Sequence, residues 1–89
     1  MRVPSFAGQF KRDLKTAGKR RKDISKIKEL ISSLVEEREP AEKYRDHPLK
    51  GPFVGYRECH IEPDWLLIYK LTPGEVLFAR TGTHSDLFG

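Results

Sequence analysis

The stretch Tyr56-Arg57-Glu58-Cys59-His60-Ile61-Glu62-Pro63-Asp64-Trp65-Leu66-Leu67-Ile68-Tyr69 decides how this chain folds. Up to Ile61, polar and apolar side chains alternate with the period of a β-strand. From Trp65 onward the run is almost unbroken apolar, rich in aromatic and branched residues suited to a second strand. Glu62-Pro63-Asp64 separates them, and proline both suits a turn and lacks a ladder donor. A β-hairpin is therefore predicted. His60 and Asp64 flank its bend, so pairing would set an imidazole and a carboxylate on neighbouring rungs.

Downstream of the hairpin, Thr72-Pro73-Gly74-Glu75 reads as a turn and Val76 to Thr81 as a third strand, giving an antiparallel meander. The first strand is expected to run from Phe53 to Ile61 and the second from Trp65 to Leu71. Upstream, Asp46-His47-Pro48-Leu49-Lys50-Gly51-Pro52 is a loop by composition, and residues 40–45 suit one further helical turn. Before the break at Arg38-Glu39-Pro40, Ile24, Ile27, Leu30, Ile31, Leu34 and Val35 trace one helical face, with Asp23 as N-cap. Phe6, Phe10, Leu14 and Ala17 trace another, capped by Ser5 and ended by Gly18. Residues 1–4 suit at most a short edge strand, limited by Pro4. The expected fold is α+β, one domain over residues 1–89, with two N-terminal helices packed on a small antiparallel β-sheet.

Lys and Arg number 17 against 13 Asp and Glu, a net charge of +4 on 89 residues. That mild excess allows a polyanionic partner without requiring one. Lys19-Arg20-Arg21-Lys22 is the densest cluster, either a solvated face or a landing pad for phosphates. The lone Cys59 excludes a disulfide framework and fits a reducing cytosol. No apolar run is long enough to span a membrane, and the N-terminus lacks the apolar stretch of a signal peptide. A cytoplasmic protein is expected.

All three histidines fall in the C-terminal half, in a loop or at strand ends, where segments of one small sheet converge on a common cleft. Phosphodiester cleavage by the RNA 2′-hydroxyl needs a base for the 2′ proton, an acid for the departing 5′-oxygen, and cations for the extra phosphorane charge. His47, His60, Asp64, His84 and either Arg57 or Arg80 could supply all three without a metal. Cys59 and His60 are adjacent on a strand and point to opposite faces, which argues against a shared metal or a nucleophile–base pair. Zinc held by the histidines and Asp64 would lack any close-spaced ligand pair. Trp65, Tyr56 and Tyr69 suit either base stacking or a core.

Tyr44-Arg45-Asp46-His47-Pro48-Leu49, the run from Tyr56 to Lys70, and Arg80-Thr81-Gly82-Thr83-His84-Ser85-Asp86-Leu87-Phe88 together resemble the YafQ branch of the RelE-type toxins. The likeness covers the whole chain, closely from about Tyr44. It implies a microbial RNase-like sheet with N-terminal helices. It also implies a type II toxin that cuts mRNA in the ribosomal decoding site and is silenced by a cognate antitoxin. No cofactor or metal is implied, and the toxin alone is expected to be monomeric. The catalytic positions fall on His47, His60, Asp64 and His84, with His84 as proton donor and the base left open. Arg57, Trp65, Arg80 and Phe88 are the expected substrate contacts. One departure is Phe53, where the family usually carries tryptophan. A ParE-like gyrase-directed toxin and a non-catalytic basic RNA-binding domain are the alternatives.

Overall fold

The computed structural model describes residues 1–89. In chain order it contains β1 (Val3–Phe6), α1 (Gly8–Lys19), α2 (Ile24–Val35), a 3-10 turn (Glu42–Tyr44), β2 (His47–Pro48) and a second 3-10 turn (Gly51–Phe53). These are followed by β3 (Arg57–Glu62), β4 (Trp65–Thr72), β5 (Glu75–Gly82) and α3 (His84–Phe88). The meander β3-β4-β5 is antiparallel as predicted, but the sheet is larger, with the order β1-β5-β4-β3-β2.

The added strand at one edge is parallel. β1 pairs with β5 from Val3↔Glu75 to Phe6↔Phe78, and the Ala7 N–H continues the ladder to Phe78 O at 3.0 Å. This pairing overrides the expected helix start. Ser5 lies in the strand and caps nothing, and α1 begins after Ala7 without a side-chain cap. Phe6 stays exposed on the strand, with one ring face stacked 5.3 Å from the buried Phe78. Phe10 and Ala17 do form the buried face of α1, and Asp23 does cap α2, accepting from the Ser25 N–H at 3.1 Å. The loop at residues 46–52 supplies the other edge: His47 and Pro48 pair with Glu58 and Arg57.

Both faces of the sheet are covered. α1 and α2 bury Phe10, Ile27, Leu30 and Leu34 against Cys59, Trp65, Leu67, Tyr69 and Phe78. On the opposite face, α3 brings Leu87 down on Leu66 and Ile68, beside Phe53 and Tyr56. β4 is therefore buried on both sides, which accounts for its unbroken apolar run. No helix is long and apolar enough to cross a membrane.

Candidate active site

Residues two apart on a strand share a face. On β3 this puts Glu58 and His60 on the α3 side of the sheet, while Arg57 and Cys59 face the helix layer. A register shift between His60 and Glu62 accompanies a turn of Glu62 toward the start of α2, where Lys22 Nζ of the α1–α2 link and Lys26 Nζ of α2 each donate to it at 3.0 Å. β2 lies beside β3 with His47 opposite Glu58, so a second imidazole arrives at the same face. The Glu58 carboxylate is buried, and its Oε1 stands 3.4 Å from both His47 Nε2 and His60 Nε2. Nε2 of each ring thus faces the same carboxylate oxygen.

His84 comes from the start of α3. The turn before it is closed by a capping box: the Thr83 hydroxyl accepts from the Asp86 N–H, and the Asp86 carboxylate accepts from the Thr83 N–H. A Cβ at Gly82 would lie 2.9 Å from Asp86 Oδ2, so this close turn needs glycine there. Arg20 at the end of α1 donates to Asp86 at 2.6 Å and anchors the helix from outside. Asp64, at the β3–β4 bend, accepts from the His84 backbone N–H at 2.9 Å, and its Oδ1 lies 2.6 Å from His84 Nδ1. These contacts, the backbone one foremost, hold the Asp64 carboxyl below the usual carboxylate range.

The three imidazoles form one row, His60 standing 5.9 Å by ring centroids from both His47 and His84. All four expected catalytic side chains are brought together. The partnership differs from the hairpin prediction: Asp64 engages His84, while His60 engages Glu58. His60 Nδ1 is the buried side-chain polar atom left without a partner, a marker of unused hydrogen-bonding capacity. Glu58 escaped the sequence reading, although its i, i+2 relation to His60 on a strand is the signal that would have found it. One ligand atom each from His47, Glu58 and His60 lie within 4.8 Å of one another, a set that suits a transition-metal ion.

The four expected substrate contacts divide. Phe88 is half-exposed, four residues after His84 on α3, its ring edge-on to Phe53 at 5.6 Å. Trp65 is fully buried, donating from Nε1 to Thr81 Oγ1 at 3.0 Å, and is not brought to the site. Arg57 points to the helix side and is held by Asp46, which also accepts from the Tyr69 hydroxyl and, at 3.1 Å, from the Cys59 thiol. Burial and that carboxylate push both the thiol and the phenol up. Arg80 is taken by Asp13 of α1 at 2.7 Å. For Trp65, Arg57 and Arg80 a carboxylate, or a core slot, claims the group first.

The profile of the bacterial type II toxin–antitoxin toxin family YafQ matches residues 2–89. The mRNA interferase toxin YafQ of Escherichia coli K12 is 51% identical over 85 residues, 94% of this chain and 92% of its own. Crystal structures of E. coli YafQ alone and in a DinJ–YafQ complex superpose with TM-scores of 0.95 and 0.94 at 48% identity, covering all of both chains. A metal-bound toxin from Helicobacter pylori superposes with a TM-score of 0.92 at 37% identity, over 99% of this chain and 100% of its own. With its sequence matched from end to end and its fold superposing on those toxins, the chain belongs to the YafQ family of toxins of bacterial type II toxin–antitoxin systems.

Proposed function

We propose that this toxin is an mRNA interferase, an endoribonuclease that cuts translated message on the ribosome by metal-independent acid–base chemistry. The observation that carries the reading is the single row His47–His60–His84, with Glu58 shared by the first two rings and Asp64 on the third. Asp64 stays ionised and can only accept, so His84 Nδ1 carries a proton and Nε2 is left as the nitrogen from which a protonated ring donates to the departing 5′-oxygen. His60 and His47, sharing Glu58, form the set that receives the 2′-hydroxyl proton and faces the phosphorane charge. Attack of the 2′-oxygen on phosphorus breaks the bond to the 5′-oxygen and leaves a cyclic phosphate.

A net charge of +4 gives a small protein a weak hold on free RNA at physiological salt. The ribosome supplies the missing positioning. The cognate antitoxin, as DinJ is for E. coli YafQ, silences the toxin by presenting acidic and apolar residues to its basic surface. A titratable row of this kind favours catalysis over a non-catalytic RNA-binding role.

The metal-bound H. pylori relative supports a second property at the same place, capture of a transition-metal ion by His47, Glu58 and His60. Such an ion would occupy nitrogens that the acid–base cycle needs, so it would inhibit. Single-turnover cleavage of message on programmed ribosomes, beside the same message naked, tests the whole reading. Cleavage should be efficient only on the ribosome, unchanged by a chelator selective for transition metals with Mg²⁺ kept in excess, and depressed by added zinc. Equal rates on both substrates would refute ribosome dependence, and loss of activity in chelator would refute metal independence.

A further inference from the structure

A groove of about 850 Å³ leaves the row at His60 and His84 and runs between α2, the turn Glu42–Tyr44 and the β3–β4 bend. The acid–base scheme does not use it. Its wall carries Lys26, Lys43, Tyr44 and Arg45 against Glu29 and Glu62, and Glu62 is already matched by two lysines. Neither Lys43 nor Arg45 has a carboxylate partner. Lys43 Nζ instead stands 5.1 Å over the Tyr44 ring, so that ring face carries an exchangeable side chain while the ring as a whole leans on the core. Arg45 holds a left-handed φ of 49°, unfavourable for a residue with a side chain, fixed by its N–H bonding to Glu42 O at 2.9 Å. Such outliers concentrate at ligand clamps.

We propose that this groove is the subsite for the nucleotide on the 3′ side of the scissile phosphate. Its base lies on the Tyr44 ring in place of the Lys43 ammonium, and Lys43 and Arg45 take the next phosphate. The assignment of side rests on the ribonuclease reading above. His84 gives its proton to the 5′-oxygen, which belongs to the 3′ nucleotide, and the groove adjoins His84 and His60 but not His47. Stacking on an aromatic face tolerates every base, and free cations match the backbone phosphates.

The test measures binding of the toxin to ribosomes programmed with a message made uncleavable by a 2′-deoxy nucleotide at the cut. Tyr44→Leu keeps the apolar packing and removes the stacking face. It should raise the half-saturating concentration about five- to thirtyfold. Removing the base 3′ of the cut should weaken the wild type by a similar factor and the Tyr44→Leu protein no further. The Lys43→Gln/Arg45→Gln double variant, at two exposed positions, should also bind more weakly and with a shallower salt dependence, by about one to two in logarithmic slope. Unchanged half-saturation in both variants, additive losses from Tyr44→Leu and the missing base, or weakening of antitoxin binding alone would each overturn the proposal. Binding is read on uncut message, so a wild type that cleaves nothing would count against the ribonuclease reading and leave the comparison of subsite variants intact.

Discussion

Asp64 Oδ1 meets His84 twice, at the ring Nδ1 (2.6 Å) and at the backbone N–H (2.9 Å), so one carboxylate fixes both the start of α3 and the tautomer of its first side chain. His84→Gln keeps similar size but cannot deliver a proton. It should slow single-turnover cleavage by roughly two to four orders of magnitude. The melting temperature and antitoxin binding should hardly change, because the side chain is half-exposed. Asp64→Asn can still accept from the backbone N–H and should cost less than His84→Gln. The double variant should be little worse than His84→Gln alone, since the carboxylate acts through the imidazole. Near wild-type cleavage by a folded His84→Gln protein would end the assignment.

Glu58 stands between two imidazoles and is itself buried, so its charge is felt at both rings. Glu58→Gln preserves shape and an acceptor oxygen while removing the anion. Cleavage should fall, and the pH–rate profile should change shape, because the two coupled rings lose a shared counter-charge. A melting curve close to wild type beside an altered profile marks a positioning role. A change in stability alone would reduce Glu58 to a structural group.

Trp65 belongs to the core and not to the substrate surface. Trp65→Ala should cost about 3–5 kcal/mol of folding stability by leaving a cavity among Ile27, Leu67 and Phe78. It also leaves the Thr81 hydroxyl without its donor, though that hydroxyl keeps its own bond to Leu66 O at 2.7 Å. Activity per folded molecule should stay near wild type. A chemical denaturation curve beside active-site-normalised cleavage separates the two. Normal stability with lost cleavage would return Trp65 to the site.

The hairpin, the two helices and the gathering of His47, His60, Asp64 and His84 were legible because period, turn chemistry and residue type are local signals. Ser5 reads as a helix cap although it lies in β1, because a parallel partner 72 residues away (Ser5↔Leu77) outcompetes a side-chain cap, and nothing local announces that partner. The short helix α3 hides in five residues, too few for a period, although the Thr83–Asp86 spacing of its capping box is visible in the sequence. Arg57 and Arg80 looked free because Asp46 and Asp13, which hold them, lie 11 and 67 residues away. Half of the basic cluster is likewise spent on the fold: Arg20 holds Asp86 and Lys22 holds Glu62, which leaves Lys19 and Arg21 for partners.

Those same pairs set the acid limit of the fold. Arg20 foremost, then the Thr83 N–H, draws the Asp86 carboxyl far below its ordinary 3.8, and Lys26 and Lys22 draw Glu62 below its ordinary 4.5. Asp64 is lowered by His84. A carboxyl with a folded value below its unfolded one binds fewer protons when folded, so stability rises with pH across the interval between the two. The contribution is complete above about pH 5 and is lost as the pH falls through the depressed values. Melting temperature should therefore be level from pH 7 to about 5 and decline below 4. The pairs are largely exposed, so added salt should flatten that decline. Asp86→Asn should lie below wild type at pH 7, with the gap narrowing as acid protonates the wild-type carboxylate. A gap of constant size down to pH 2 would show that Asp86 acts through its hydrogen bonds to Thr83 and not through its charge.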